Sequence, residues 1–196
     1  MELSARFKQV VKPGGVYRRA YFAQYADSVD SILATLTASG LLKVVVHGLY
    51  YCPQVKEFGE VYPKEHLLLK GFLKSTDFLV VSPNSYNSLG LGLTQLYNFQ
   101  FVLNKKRGGE FAFLGRTYRF VKHRAYPKKL TQEFLLVDLL NNMKMLAVDE
   151  HDLITMVGER FSKFDRKKLV SSAKRFGSLK TRKLVSELSN VPSRLQ

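Results

Sequence analysis

The sequence predicts an α+β protein of two domains, on three observations. Within residues 17–53 a short helical run, a tight turn, a second helix and two β-rich runs follow one another. Between residues 99 and 122 three short runs rich in aromatic and β-branched residues are punctuated by glycine. From Leu130 to Leu188 the apolar positions recur at helical spacing. The first of these orders is that of a winged helix-turn-helix, a module that points to double-stranded DNA. The expected architecture is therefore a winged helix-turn-helix over residues 1–55, then an α+β domain over 60–196. The latter divides into a mixed core at 60–147, with a small antiparallel sheet, and basic C-terminal helices at 148–196.

The N-terminus reads as an amphipathic helix with Leu3, Phe7, Val10 and Val11 inward and Arg6, Lys8 and Lys12 outward. In the second helix of the 17–53 stretch, Val29, Ile32, Leu33 and Leu36 give one apolar face, and Ser28, Ser31 and Thr35 fall on the opposite one. Asp27 or Ser28 stands where an N-cap oxygen is wanted, and Gly40 stands where the helix must stop. Leu41 to Val46 and Leu49 to Tyr51 are then strands joined through His47 and Gly48, a hairpin in the place of a wing. Such a helix presents its N-terminal residues to base edges, so Ser28, Ser31 and Thr35 are candidate base contacts. Arg18, Arg19, Lys43 and His47 are candidate phosphate contacts. Ser and Thr are also ordinary surface residues, and this helix carries Asp30 with no Lys or Arg.

Residues 53–63, between two prolines, read as a connection between domains. A helix over Pro63 to Lys74, a strand over Phe78 to Ser82 and a short helix over Ser85 to Leu91 follow. Strands are expected at Phe99 to Leu103, Glu110 to Leu114 and Thr117 to Lys122, the last two turning at Gly115 and Arg116. Leu130 to Leu146 is too apolar for a surface helix and reads as core. Asp149 to Phe161, Asp165 to Phe176 and Ser178 to Leu188 complete the chain as three helices, with Asp165 and Ser178 as caps.

The 31 basic and 16 acidic residues give a net charge of +15, which favours a polyanionic partner. The excess is concentrated: residues 158–196 hold 11 basic and 3 acidic side chains. Lys167, Lys168, Lys174, Arg175, Lys180, Arg182 and Lys183 lie there as candidate partner-binding residues. A single cysteine, Cys52, excludes an intrachain disulfide and a thiolate cluster and fits a reducing cytoplasm. No run approaches the roughly 18 apolar residues of a membrane span, and the N-terminus lacks the apolar stretch of a secretory signal.

The segments GLYYCP at 48–53, SPNSYNSLGLGLTQL at 82–96, FVLNKKRGGEFAFLGRTYRFVK at 101–122 and RFGSLKTRKLVSEL at 175–188 resemble, in this order, the AbiEi-type antitoxins of bacterial type IV toxin-antitoxin systems. The resemblance extends over almost the whole chain. It implies a winged helix that represses its own operon on inverted repeats, with two copies on the repeat. It also implies a C-terminal domain that counters a nucleotidyltransferase toxin encoded alongside. By position, the family's helix-turn-helix falls on Arg18 to Ser39 and its wing on Lys43 to Tyr51. Its structural strand-helix signature falls on Ser85, Leu89, Gly90, Leu91 and Gln95, and its antitoxin helices on Arg175 to Lys183. The chain departs from the family at His47, where members often carry Arg or Lys, and histidine is the weaker phosphate ligand at neutral pH.

No catalytic constellation, cofactor motif or metal spacing is present. His47, His66, His123 and His151 are scattered singly, and Asp149, Glu150 and Asp152 are explained by a helix start. Gly90 and Gly92 lack the basic residue of a phosphate loop, and Gly108 and Gly109 read as a turn. Two other classes compete with a DNA-binding antitoxin. One is a protein-interaction module whose basic tail meets an acidic partner; the other is a general RNA-binding protein, which the core-like spacing of the aromatics disfavours.

Overall fold

The structure is a computed structural model that describes residues 3–25, 28–123, 125–146 and 148–190, with side chains from residue 6 onward. It is mixed α+β with small antiparallel sheets, and it divides into two compact units: Met1–Thr76 with Ala112–Arg116, and Asp77–Phe111 with Thr117–Gln196.

The first unit opens with helix α1 (Leu3–Lys8), strand β1 (Val16–Arg18) and the single-turn helix α2 (Arg19–Phe22). Helix α3 (Val29–Ala38) follows, then strands β2 (Lys43–Val46) and β3 (Leu49–Tyr51). The apolar face expected of α3 is the buried one, with Val29, Ile32, Leu33 and Leu36 enclosed together with Phe7, Val11, Phe22, Leu42 and Cys52. Leu3 and Asp27, assigned above to the core and to a cap, have side chains outside the described residues. Ser28 is the residue before α3, though its side chain makes no cap hydrogen bond. Gly40 adopts φ +71°, the left-handed conformation that ends helices without the steric penalty a side chain would meet.

Strand β3 is central, pairing antiparallel with β1 and with β2. β1 was not expected: Tyr17 and Arg18 read as the start of a helix, yet Val16, Tyr17 and Arg18 pair with Tyr51, Tyr50 and Leu49. A β-branched residue beside an aromatic suits a strand once a partner exists, and that partner lies more than thirty residues away.

Residues 53–63 are likewise a second hairpin, β4 (Gln54–Lys56) with β5 (Gly59–Val61), and not a plain linker. Val55 and Phe58 on it are exposed, so no inward apolar alternation marked it. Helix α4 (Glu65–Leu73) belongs to this unit too. A β-carbon on its Gly71 would come within 2.9 Å of Leu49 Cδ1 and 3.0 Å of Val16 Cγ1, so glycine lets α4 approach the sheet closely. That approach places the division of the chain after Thr76, where the sequence suggested 55–60.

The second unit carries β6 (Phe78–Val81), a 3₁₀ segment (Pro83–Leu89), β7 (Phe99–Asn104) and most of β8 (Gly109–Phe113) and β9 (Arg116–Lys122), of which Ala112 to Arg116 are counted with the first unit. The strand order is β6-β7-β9-β8: β6 pairs antiparallel with β7, whereas β7 and β9, expected in an antiparallel sheet, are parallel. The β8–β9 turn is made by Leu114 (φ +50°) and Gly115 (φ +77°), so Arg116 begins β9 and is not a turn residue. Buried Asn104 fixes the preceding turn: its Oδ1 accepts from the Lys106 and Arg107 amides at 2.9 and 2.8 Å.

Helix α5 (Gln132–Asn142), capped by Thr131, is the core element anticipated, with Leu136, Val137 and Leu139 fully enclosed. Helices α6 (Glu150–Arg160), α7 (Arg166–Phe176) and α8 (Leu179–Asn190) follow. Asp165 accepts from the Lys168 amide and Ser178 Oγ from the Thr181 amide, the caps expected at both. These helices are not an appended tail. Leu153, Val157, Leu169, Ala173 and Val185 lie in one apolar cluster with Val81, Phe101 and the α5 residues. Among the described residues no helix is long and apolar enough to cross a membrane.

Candidate nucleic-acid interface

Helix α3 shows solvent a surface of short polar groups. Its inward residues recur every three or four positions, which leaves Ser28, Ser31 and Thr35 exposed on the other side, with exposed Ala34 beside Thr35. Thr35 Oγ1 donates to the Ser31 carbonyl at 3.0 Å, a local bond that the hydroxyl can exchange by rotating about χ1. The surface has no bulky side chain to hold a flat ligand away from the helix.

The charges around it are largely self-neutralised. Arg19, the first residue of α2, donates through Nε and an Nη to both carboxylate oxygens of Asp30 at 2.8 Å each. The hydrogen bonds raise the guanidinium and lower the carboxyl from their ordinary values. His47, exposed at the hairpin turn, contributes a further electrostatic lowering of Asp30. The same turn is tied to α2, because the Arg19 amide donates to the Gly48 carbonyl at 3.0 Å. The structure thus gathers Arg19, Asp30 and His47 at the N-terminal end of α3.

Arg18 and Lys43 are placed differently from the sequence expectation. Arg18 Nη1 donates to the Gly71 carbonyl of α4 at 2.6 Å, and partial burial lowers its guanidinium, so it is a structural tie. Lys43 pairs with Glu60 of β5, whose other oxygen accepts from the Tyr51 hydroxyl at 2.8 Å. Hydrogen bonds from Lys43 and then Tyr51 hold the Glu60 carboxyl below its ordinary value. Glu60 escaped notice in the sequence because residues 53–63 looked like a linker. Cys52 is a buried filler, its thiol pushed up by desolvation.

On the second unit all seven basic candidates are exposed, but they are unequally occupied. On α8, Lys180 bonds Glu150, Lys183 approaches Glu187 at 3.9 Å, and Arg182 donates to the Gly177 carbonyl at 2.8 Å. On α7, Lys168 lies 3.5 Å from Asp165, whereas Lys167, Lys174 and Arg175 have no acidic partner among the described residues. The Arg175 guanidinium stands 5.1 Å from the Phe176 ring. Free positive charge is therefore a property of α7 more than of α8. Among the described residues no three His, Cys, Asp or Glu side chains gather to hold a metal ion.

Comparison of the chain with protein-family models and with curated proteins finds no match.

Proposed function

We propose that the protein is an antitoxin that represses its own toxin-antitoxin operon. Two copies bind an inverted-repeat operator in double-stranded DNA, and the basic helices of the second unit counter a nucleotidyltransferase toxin. The observation that carries the DNA reading is the exposed Ser28, Ser31 and Thr35 surface of α3, preceded by short α2 and followed by the β2–β3 hairpin. This element order supports the reading of a winged helix-turn-helix in which α3 serves as the recognition helix. Hydroxyl groups both donate and accept, so they suit any base edge that the groove presents. Arg19 reaches a phosphate by leaving Asp30, and exchange of one exposed ion pair for another costs little.

Fluorescence anisotropy on a duplex from just upstream of the gene, against a scrambled duplex and across a salt series, tests this. A preference of roughly a thousandfold or more is the expected result for an operator binder. Equal, steeply salt-dependent binding to both duplexes would overturn it and leave charge alone as the cause.

A second reading has one observation in its favour. With Arg19 on Asp30 and Lys43 on Glu60, the α3 surface carries little free positive charge, while α7 carries much. In that reading the protein is an interaction module whose α7 meets an acidic partner without sequence-specific DNA binding. Truncation after Leu146 cannot separate the readings, because it removes Leu153, Leu169 and Val185 from the shared core. Charge reversal at Lys167 and Lys174 spares the core and serves instead.

A further inference from the structure

A cavity of about 740 Å³ opens in the second unit between the segment leading into α5 and one side of α7. Its size falls within the roughly 300–1,000 Å³ usual for small-molecule sites. Two features of its lining point to one ligand chemistry.

The first is cationic. Lys128 enters from the segment before α5, and Lys167, Lys168 and Arg175 from α7. Asp165 caps the start of α7 and lies 3.5 Å from Lys168, whereas Lys167 and Arg175 have no acidic partner among the described residues, so the lining keeps positive charge for an anion.

The second is aromatic. Tyr126 and Phe176 border the space, and Phe134 meets Phe176 edge-on at 5.4 Å, which fixes the Phe176 ring. Tyr126 is fixed as well, its hydroxyl lying 2.8 Å from Asp77 Oδ1. Glu133 is the single carboxylate of the lining, an acceptor for a ribose hydroxyl or an amino group.

We infer that this cavity binds a mononucleotide, with the phosphate held by Lys128, Lys167, Lys168 and Arg175, the sugar or base edge reaching Glu133, and the base lying against Tyr126 and Phe176. The inference is independent of operator binding, since none of these residues lies on α3.

Calorimetric titration of the full chain with AMP, GMP, CMP and UMP, alongside adenosine, guanosine and inorganic phosphate, tests it. At least one monophosphate binds saturably with Kd below about 1 mM, and its nucleoside and free phosphate each bind roughly tenfold or more weakly. Lys167→Ala and Arg175→Ala each weaken the nucleotide by about tenfold. Ser31→Ala and Thr35→Ala leave the titration unaltered. The inference is overturned if no monophosphate saturates, if the α7 variants bind as the parent does, or if only a single-stranded oligonucleotide binds.

Discussion

The hydroxyl of Tyr86 donates to Asp138 Oδ2 at 2.6 Å, and both residues are buried, at 1% and 2% exposure. Burial raises the Asp138 carboxyl from 3.8 to about 6, against the lowering effect of the hydrogen bonds from Tyr86 and Asn142. It raises the Tyr86 hydroxyl as well, burial first and the neighbouring carboxylate second. Between the two carboxyl values the folded state holds a proton that the unfolded chain releases. Stability therefore falls as pH rises from about 4 to about 6 and is level above that. In Asp138→Asn this slope disappears, which urea unfolding at a series of pH values reads directly. Tyr86→Phe removes a lowering hydrogen bond, so the upper end of the slope extends to higher pH and the fold loses roughly 1–3 kcal/mol.

The Arg19–Asp30 pair predicts a gain of function. Asp30→Ala frees the guanidinium and removes a negative charge from the surface proposed to face DNA. Operator affinity rises several-fold at low salt, and the rise shrinks as salt screens it. The melting temperature hardly changes, because the pair is exposed. Unchanged or weaker binding by Asp30→Ala in anisotropy would place the DNA contact elsewhere.

Arg18 and Arg19, adjacent in sequence, separate by readout. Arg18→Ala deletes the bond to the Gly71 carbonyl and lowers stability by about 1–2 kcal/mol. Arg19→Ala leaves thermal stability near the parent and weakens all duplexes alike. Thermal denaturation beside anisotropy distinguishes them, and a stable Arg18→Ala protein with lost DNA binding would contradict the assignment.

Gly177 turns the chain between α7 and α8, and its φ of −74°, read from the α7 terminus, is open to any residue. Space is what it lacks: a β-carbon there would lie 2.6 Å from the Ala173 carbonyl oxygen. Gly177→Ala forces the helix end apart at a cost of about 1–3 kcal/mol, measured as a lowered denaturation midpoint with α7 and α8 both loosened in hydrogen exchange.

Legibility in the sequence followed how local each signal was. The buried Val29, Ile32, Leu33 and Leu36 of α3, the enclosed face of α5 and the Asp165 and Ser178 caps are set by neighbours within a few positions, and each was readable. Strand β1 was not, because Val16 to Arg18 become a strand only against Leu49 to Tyr51. The parallel β7–β9 pairing and the place of α4 with the first unit depend on equally distant partners. Among site residues, exposure of Ser31, Thr35 and the α7 cations followed from helical period. Capture of Lys43 by Glu60 did not, and neither did convergence of Lys128 with α7, since both join segments with no shared pattern.

The apolar cluster around α5 runs from Val81 in β6 to Val185 in α8. On the ribosome, α5 therefore emerges with the sides that α7 and α8 cover still bare and waits for those helices. At about 5–20 residues per second that wait lasts several seconds or more. Any product cut short before α8 presents greasy surface to proteases, so damage to the message removes the whole unit, and no half-working remnant accumulates.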